Sequence, residues 1–296
     1  MNLALTTLRD LRIQYHKRLQ QTIWRYVGDQ SIPSNADGSN KLSVLIARGM
    51  LEEVQETIPP IAGQTSGKEF TNLTLDFLRD AFLRLEHIRP GPWRFSASQA
   101  KVGIAAFQQY EHLAILQQLL DSLEQDASND SNKDLRAMFA SDYIIKPDIV
   151  IARDPLGDER INNNVHLLER EDNIATYTPL RAVNNSTPIL HASVSCKWTF
   201  RSDRAQNART EALNLIRNRK GHTPHIVVVT GEPLPHRLSS LALGTGDIDC
   251  MYHMALFELE AAIKNCEDET QAEMFDTLVR GHRLRDISDL PFDLAI

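Results

Sequence analysis

The sequence predicts an α/β protein in which a mixed central sheet is flanked by helices and preceded by a mainly helical N-terminal part. Three observations lead to this class. Residues 1–140 show helical periodicity, short runs rich in β-branched residues follow in the middle of the chain, and one helix separates two of these runs. A strand, a helix and a second strand in this order are typical of a core with a parallel pair.

Helices account for most of the first 140 residues. The first is predicted to cover the first thirty residues and to end near Gly28. Its apolar residues repeat at helical spacing: Leu5, Leu8, Leu11, Ile13 and Leu19. Further helices are predicted over residues 41–56, 68–88 and 104–124, and prolines and glycines interrupt regular structure at 59–67 and 90–92. The polar run at 128–134 is predicted to be a surface loop.

Three runs in the middle of the chain are predicted to be strands: residues 143–153, 189–198 and 225–230. The last run, HIVVVT, has the apolar character of a central strand that is covered on both faces. A helix is predicted at about 203–219, and residues 247–265 are predicted to supply a strand or turn and a C-terminal helix. We expect one domain, 1–296, in which residues 1–140 are a mainly helical elaboration and residues 141–296 hold the core and the C-terminal helix.

The composition is typical of a soluble globular protein, with 42% hydrophobic and 24% charged residues. The N-terminus carries charge too early for a secretory signal, and no apolar run approaches the ~18 residues of a membrane span. We therefore expect a cytoplasmic protein without a membrane partner. Cys196, Cys250 and Cys266 form no CxxC pair, which argues against a disulfide framework or a zinc site. The GTG at 244–246 is too short for a phosphate loop, so no nucleotide cofactor is expected.

Charge is distributed unevenly along the chain. The net charge of −7, taken alone, argues against binding to nucleic acid, because lysine and arginine are needed to neutralise phosphates. Residues 197–220, however, contain seven basic and two acidic residues, a local charge of +5 that leaves −12 for the rest. A basic face on an acidic body is compatible with an enzyme that acts on DNA, since a metal site itself requires carboxylates.

Three charged residues, Asp148, Lys197 and Glu211, have the placement that hydrolysis of a phosphodiester requires. Asp148 lies in the first predicted strand, alternation turns Ser195 and Lys197 to one face of the second, and Glu211 lies in the middle of the following helix. Carboxylates hold Mg²⁺, and a lysine can orient or deprotonate the attacking water. The pattern alone has a second interpretation, since charged residues at strand ends are commonly only solvated.

The segment after Lys197 contains residue types that can recognise bases. Arginine donates two hydrogen bonds to guanine O6 and N7, and aspartate accepts one from cytosine N4. Arg201, Asp203 and Arg204 at a helix N-terminus could therefore read G·C pairs in the major groove. The alternative is that the arginines are surface charges and that Asp203 is an ordinary acid of a first helical turn.

Longer segments carry a specific resemblance to a known family. The run SVSCKWTFRSDRAQNARTEALNLIRNRKG at 193–221, followed by PHIVVVT and ALGTGDIDC, resembles the CCGG-reading type II restriction endonucleases of the PD-(D/E)XK superfamily. The same holds for SNADGSN at 34–40, AGQTSG at 62–67, QYEHL at 109–113, SDYIIKPDI at 141–149, NIATY at 173–177 and DISDLP at 286–291. The similarity extends over essentially the whole chain, and it implies a PD-(D/E)XK core.

The resemblance implies a role for each residue that matches the family's motifs. Asp148 corresponds to the metal-binding aspartate and Lys197 to the catalytic lysine. Ser195 stands where most nucleases of the superfamily have a second acid, and Glu211 supplies that carboxylate from the next helix; the backbone carbonyl of Cys196 also faces the metal. The implied DNA-recognition residues are Arg201, Asp203 and Arg204 for the inner CCGG, Asp37 and Arg237 for the outer G·C pair, and Gln64 for the minor groove.

One position departs from the family's pattern. The family has a glutamate directly after the phenylalanine of its GQTSG-x-x-F segment, and this chain has Thr71 there, while Glu69 points from a different face of the helix. A threonine cannot replace the charge of a carboxylate. Weaker metal binding, or a different number of metal ions, therefore stays open.

The function implied by the resemblance is that of a type II restriction endonuclease from a restriction-modification system. It would cut duplex DNA at GCCGGC with Mg²⁺ and leave 5′ overhangs. A palindromic site calls for at least a two-fold dimer, and the resemblance implies a homotetramer of two dimers. Two alternatives stay open: a repair or recombination nuclease on the same core, and a protein that binds the sequence without cutting it.

Overall fold

The structure is a computed structural model and describes residues 6–51, 57–59, 62–97, 103–115, 118, 122, 147–169, 173–200, 202–244 and 246–296, with residues 202–205 described by their backbone. The chain divides into two compact units. The first consists of Met1–Arg89, Val194–Thr210 and Ile226–Ile296, and the second of Pro90–Ser193 and Glu211–His225. That the whole chain acts as one domain stays a prediction.

The described helices are α1 (Leu8–Thr22), α2 (Lys41–Gly49), α3 (Gly63–Phe82), α4 (Asp158–Ile161), α5 (Ser202–Asn218), α6 (Pro235–Ala242), α7 (Leu256–Cys266), α8 (Glu269–Arg280) and α9 (Leu290–Asp293). Single 3-10 turns or short 3-10 helices cover Leu83–Leu85, Ile104–Ala106 and Gln108–Leu113. The described strands are β1 (Tyr26–Val27), β2 (Ile32–Pro33), β3 (Trp93–Ala97), β4 (Ile149–Arg153), β5 (Ile189–Lys197), β6 (His225–Thr230), β7 (Cys250–His253) and β8 (Leu284–Asp286).

Strands β3 to β8 form a mixed sheet of six strands in the order β3-β4-β5-β6-β7-β8. Strands β3 and β4 are antiparallel, whereas β6 pairs in parallel with β7, and β7 in parallel with β8. Parallel neighbours need crossover connections, which α6 supplies between β6 and β7 and α7 with α8 supply between β7 and β8. The predicted class, an α/β protein with a mixed central sheet flanked by helices, is confirmed.

Strands β5 and β6 and the helix between them are close to their predicted positions, whereas β4 begins only at Ile149 and residues 143–146 of the first predicted strand lie outside the described residues. Strand β5 ends one residue before the predicted boundary, β6 matches it, and α5 is shifted by one residue. In β6 every residue except His225 is buried, as a strand covered on both faces should be. In β5 the apolar face is buried as predicted, and Ser193 and Ser195 on the opposite face are buried as well. The polar face of β5 is thus not a solvent-exposed face.

The N-terminal predictions need correction. Helix α1 ends at Thr22 instead of near Gly28, because the chain turns there into the short antiparallel pair β1 and β2. Ile13, which was predicted to lie on the apolar face of this helix, is 41% exposed. Helix α2 ends at Gly49, and residues 52–56 lie outside the described residues. Helix α3 begins at Gly63, five residues earlier than predicted, so the two glycines of its first turns did not interrupt the helix.

The region predicted as a helix at 104–124 also differs from the prediction. Residues 104–113 form two 3-10 segments instead of an α-helix, whereas residues 114, 115, 118 and 122 are α-helical as predicted. Most of residues 116–146, including the predicted loop at 128–134, lie outside the described residues. Within the second unit this region is tied to β5 by Gln109, whose buried side chain donates to the carbonyl of Leu190 and accepts from its N–H at 2.7 and 2.9 Å. Tyr110 donates to the carbonyl of Leu215 in α5.

The C-terminal third contains more elements than the sequence predicted. Strand β7 and helix α7 confirm the expected strand and helix, and α8, β8 and α9 follow them. No helix in the described part of the chain is both long enough and apolar enough to cross a membrane.

Helix α1 is held in the first unit by an ionic cluster that includes one buried carboxylate. Arg12 donates to both oxygens of Glu258 in α7, at 2.9 and 2.7 Å, and to both oxygens of Asp286 at the end of β8, at 2.9 and 2.8 Å. Asp286 is 1% exposed and also accepts the N–H of Leu256. A carboxylate in that position requires its cationic partner, since an unpaired buried charge is strongly destabilising.

We predict that Arg12→Met lowers the free energy of unfolding by about 3 kcal/mol, because it leaves the Asp286 carboxylate buried without its cation. Urea denaturation measures the change. The matched control is Arg18→Met on the same helix, which breaks an exposed ion pair with Asp76 and is expected to cost under about 1 kcal/mol. Equal losses for the two variants would contradict the structural role given to Arg12.

Candidate functional site

The first unit contains the end of β5, where three of the predicted site residues follow one another. Ser195 and Cys196 are buried, and Lys197, the last residue of the strand, is half-buried. The burial of the Cys196 side chain leaves its backbone as the part that could contribute to a site. The structure therefore places a lysine at a strand end, which is where α/β proteins commonly carry functional groups.

The two predicted carboxylates belong to the second unit. Asp148 directly precedes β4 instead of lying within it, and Glu211 is near the middle of α5; both are half-buried. Among the described residues no group of three or more histidine, cysteine, aspartate or glutamate side chains is arranged to hold a metal ion. The predicted ligand set has only two such side chains and a backbone carbonyl, and its hard oxygen donors are the type that Mg²⁺ prefers.

The segment after Lys197 is anchored by its tryptophan. The indole of Trp198 is buried, donates from Nε1 to the carbonyl of Ser34 at 3.2 Å, and packs against Phe70 of α3 with ring centroids 5.1 Å apart. Gly231, which follows β6, lies against the same indole and donates its N–H to the carbonyl of Lys197 at 3.4 Å. Three separate parts of the first unit thus converge on the residue next to the predicted catalytic lysine.

The backbone of Phe200 is held on both sides. Its N–H donates to Oε2 of Glu232 at 2.7 Å, and its carbonyl accepts from Nη1 of Arg237 at 3.3 Å. The other carboxylate oxygen of Glu232 accepts the N–H of Leu234 at 3.3 Å. Two residues that follow β6, Glu232 and Arg237, thus hold the backbone of Phe200, the residue before the predicted recognition segment.

Two of the predicted recognition residues are brought together in the structure. Arg237 donates from Nη2 to Oδ2 of Asp37 at 2.5 Å, although the two residues are 200 positions apart in the chain. The hydrogen bonds from Arg237 and Ser39 together lower the pKa of the Asp37 carboxyl to about 2. Near neutral pH the pair therefore presents a carboxylate and a guanidinium side by side, both partly exposed.

The other predicted recognition residues are less fully described. Arg201 lies outside the described residues, and Asp203 and Arg204 are in the first turn of α5, with side chains outside the described part. Gln64 is exposed in the first turn of α3. Within the basic stretch at 197–220, Arg209 donates to the carbonyl of Ser240 and lies 4.0 Å from Asp247, so its charge is partly compensated inside the protein.

Thr71, the residue that departs from the family's pattern, is buried within α3. Its hydroxyl donates to the carbonyl of Gly67 one turn earlier at 2.9 Å, and its neighbour Phe70 is the ring that packs on Trp198. The side chain is thus satisfied by its own helix and requires no partner from a metal site.

Glu232 is the residue that reasoning from the sequence missed. It is 1% exposed, and burial raises the pKa of its carboxyl to about 7, although the two backbone donors and Arg237 oppose that rise. A signal was available, because Glu232 is the second residue after the buried central strand β6, at the strand end where α/β sites lie. His253 on the adjacent strand β7 is also buried and contacts the backbone carbonyl of Glu232 at 3.2 Å.

Comparison with known proteins gives one consistent result. The family model described as "NgoMIV restriction enzyme" matches residues 15–296 of the chain. The protein named "Type II restriction enzyme NgoMIV" from Neisseria gonorrhoeae is 48% identical over 289 residues, which cover 95% of this chain and 96% of that protein.

The contact between Gly231 and Trp198 gives a testable prediction. A Cβ at position 231 would lie 3.1 Å from two indole carbons and 3.2 Å from Sδ of Met254, so we expect Gly231→Ala to destabilise the fold by about 1–3 kcal/mol. Thermal unfolding measures this change.

The control for that substitution is Gly67→Ala in α3. A Cβ there meets no atom within 4 Å, and alanine favours the helix by about 0.5–1 kcal/mol, so a small gain in stability is expected. Stabilisation by Gly231→Ala would show that the close packing on Trp198 is not a constraint.

Proposed function

Because the chain belongs to the NgoMIV restriction enzyme family, we propose that it is a type II restriction endonuclease that hydrolyses duplex DNA at GCCGGC. The family match over residues 15–296 carries this proposal. The proposed reaction depends on Mg²⁺, uses no nucleotide cofactor and leaves 5′ overhangs. The proposed setting is the cytoplasm, within a restriction-modification system whose methyltransferase protects the host's own sites.

For the cleavage step we propose four residues and one backbone group. Asp148, Glu211 and the carbonyl of Cys196 would hold Mg²⁺, and bound Mg²⁺ would offset the negative charge that develops on the phosphate. The ammonium group of Lys197 would orient the attacking water or take its proton, and Ser195 would stand in the place of a second acid on β5. The placement of Lys197 at a strand end and the half-burial of all three charged side chains support these roles.

For recognition we propose two sets of contacts in the major groove. Arg201, Asp203 and Arg204 would read the inner CCGG, and the position of this segment at the N-terminus of α5 supports that role. Asp37 and Arg237 would read the outer G·C pair, since a carboxylate accepts from cytosine and a guanidinium donates to guanine. Their contact at 2.5 Å supports a joint role. Gln64 would reach the minor groove from the exposed start of α3.

Thr71 favours a second candidate function, a protein that binds the same sequence with weak or no cleavage. The hydroxyl of Thr71 is already bonded within α3 and supplies no charge to a metal site. Full cleavage activity then depends on the two carboxylates of the second unit, Asp148 and Glu211. The experiment below separates the two candidates.

We predict that purified protein cuts a plasmid carrying GCCGGC into discrete fragments with Mg²⁺ and leaves it intact when the metal is chelated. Lys197→Ala should abolish cleavage while binding to a GCCGGC duplex is retained, because the proposed role of the lysine is to orient or deprotonate the attacking water and not to contact the bases. Fragment ends and a gel-shift titration measure the two properties. Lys264→Ala, which removes an exposed lysine paired with Glu260, is the control that should cut normally.

The outcomes separate the candidates as follows. A footprint on GCCGGC without cleavage would support the binding protein, and nicking that follows DNA structure instead of sequence would support a repair nuclease. Loss of both cleavage and binding in Lys197→Ala would contradict the role given to the lysine.

We propose that the working assembly is a homotetramer of two dimers. A palindromic site calls for a two-fold pair of subunits, and a second pair needs additional apolar surface for association. In the second unit, five apolar side chains between positions 165 and 183 are exposed, which supports an interface there: Val165, Leu167, Ile174, Tyr177 and Val183.

We predict that replacing Tyr177, which is 98% exposed, and Val183 by serine reduces the mass measured by light scattering from four chains to two. Removal of apolar contact area weakens association, whereas the stability of the folded subunit changes little because these side chains are exposed. The control is Phe257→Ser, an exposed apolar residue of the first unit that should leave the mass unchanged. A wild-type protein that is monomeric at all concentrations would contradict the proposed assembly.

A further inference from the structure

Glu232 is a buried charged residue for which the proposed cleavage step has no use. Its carboxylate accepts the N–H of Phe200 at 2.7 Å and that of Leu234 at 3.3 Å, and it lies 3.9 Å from Nη1 of Arg237. Burying a carboxylate is costly unless donors surround it, and an apolar side chain could fill the same volume without that cost. The carboxylate therefore points to a role that a purely packing residue would not need.

Glu232 contacts groups that are next to the proposed recognition residues in the chain or belong to them. Phe200 immediately precedes Arg201, and the carbonyl of Phe200 accepts from Arg237, whose other terminal nitrogen contacts Asp37. One buried carboxylate thus accepts the N–H of the residue directly before the inner recognition set and lies next to the guanidinium of Arg237 in the outer set. These are the two sets of residues to which the proposed function assigns different base pairs.

We propose that Glu232 is a positioning residue for sequence discrimination. It fixes the backbone of Phe200, directly before Arg201, and the guanidinium of Arg237 in one arrangement. It does not contact a base. Its loss would loosen both sets of contacts together, so discrimination at the outer G·C pair and at the inner CCGG would decline in the same variant. This inference rests on the proposed function, because it takes the recognition roles of these residues as given.

The charged and titratable groups around Glu232 determine how it should respond to pH. Arg237 and Asp37 face it from α6 and from the segment before α2, and His253 contacts its backbone carbonyl from β7. Burial lowers the pKa of His253 to about 4, and Asp37 has a pKa of about 2, so both keep one charge state near neutral pH. Burial raises the pKa of Glu232 to about 7, so among Glu232, Asp37 and His253 it is Glu232 that titrates near neutral pH.

The test is Glu232→Gln, in which one oxygen becomes an NH₂ donor and can no longer accept a backbone N–H. Cleavage rates are compared on three duplexes: GCCGGC, a site with a changed outer pair, and a site with a changed inner pair. We expect the preference for GCCGGC over each altered site, as a ratio of kcat/KM values, to fall roughly tenfold, which is within the range of one bidentate base contact.

The matched control is Asp286→Asn, a second buried carboxylate of the first unit that also accepts backbone N–H groups and an arginine. It lies in the ionic cluster of α1, so we expect lower thermal stability without a change in either ratio. An unchanged ratio in Glu232→Gln, or an equal fall in Asp286→Asn, would overturn the proposal.

A second measurement needs no variant and therefore does not depend on whether Glu232→Gln folds. In the wild type, the preference for GCCGGC should rise between about pH 6 and about pH 8, as Glu232 loses its proton and can accept both N–H groups. The ratio of two substrates cancels the pH dependence of the cleavage step itself. A flat ratio overturns the inference, whereas a wild type that does not prefer GCCGGC at any pH overturns the proposed function instead.

Discussion

The carboxylate of Glu232 can be buried only if donors surround it, and this requirement organises the part of the first unit that follows β5. An unpaired carboxylate in a low-dielectric interior is so unfavourable that the chain must supply hydrogen bonds or the group must take up a proton. Here the donors are backbone N–H groups of Phe200 and Leu234. The segment leaving β5 and the turn leading into α6 are therefore held against the same side chain.

A second set of contacts extends this arrangement to the N-terminal part of the chain. The side chain of Asn35, which is 0% exposed, donates to the carbonyl of Gly231 at 2.9 Å, and Trp198 donates to the carbonyl of Ser34. Two residues further along the chain, the carboxylate of Asp37 accepts a hydrogen bond from Arg237. The loop before α2 is thus held at Ser34 and Asn35, two and three residues before Asp37, by contacts that do not depend on the charge of Asp37.

The sequence predicted those parts of the fold that depend on local pattern. The alternation in β5, the apolar run of β6 and the periodicity of α5 are local, and each boundary was found within one residue. The end of α1 at Thr22 and the start of α3 at Gly63 depend on tertiary packing, so propensity alone gave wrong boundaries. The strand end marks Glu232 as a candidate, but its contact with the Phe200 N–H, 32 positions away, depends on the tertiary fold and has no local sequence pattern.

The pair of Asp37 and Arg237 bears on how an acidic protein could bind DNA with specificity. A net charge of −7 provides no general attraction to phosphates, so affinity would have to come from local contacts whose geometry exists before binding. The low pKa of the Asp37 carboxyl keeps the carboxylate charged, so the pair with Arg237 has a net charge of zero. The acceptor oxygens of Asp37 and the donor nitrogens of Arg237 lie side by side. A G·C pair offers the complementary edges, so binding would need no ordering of two free side chains, and the ion pair would not have to separate. Under the proposed function, discrimination of the outer base pair then depends more on how rigidly Glu232, Phe200 and the loop before α2 hold this pair than on the strength of either charge.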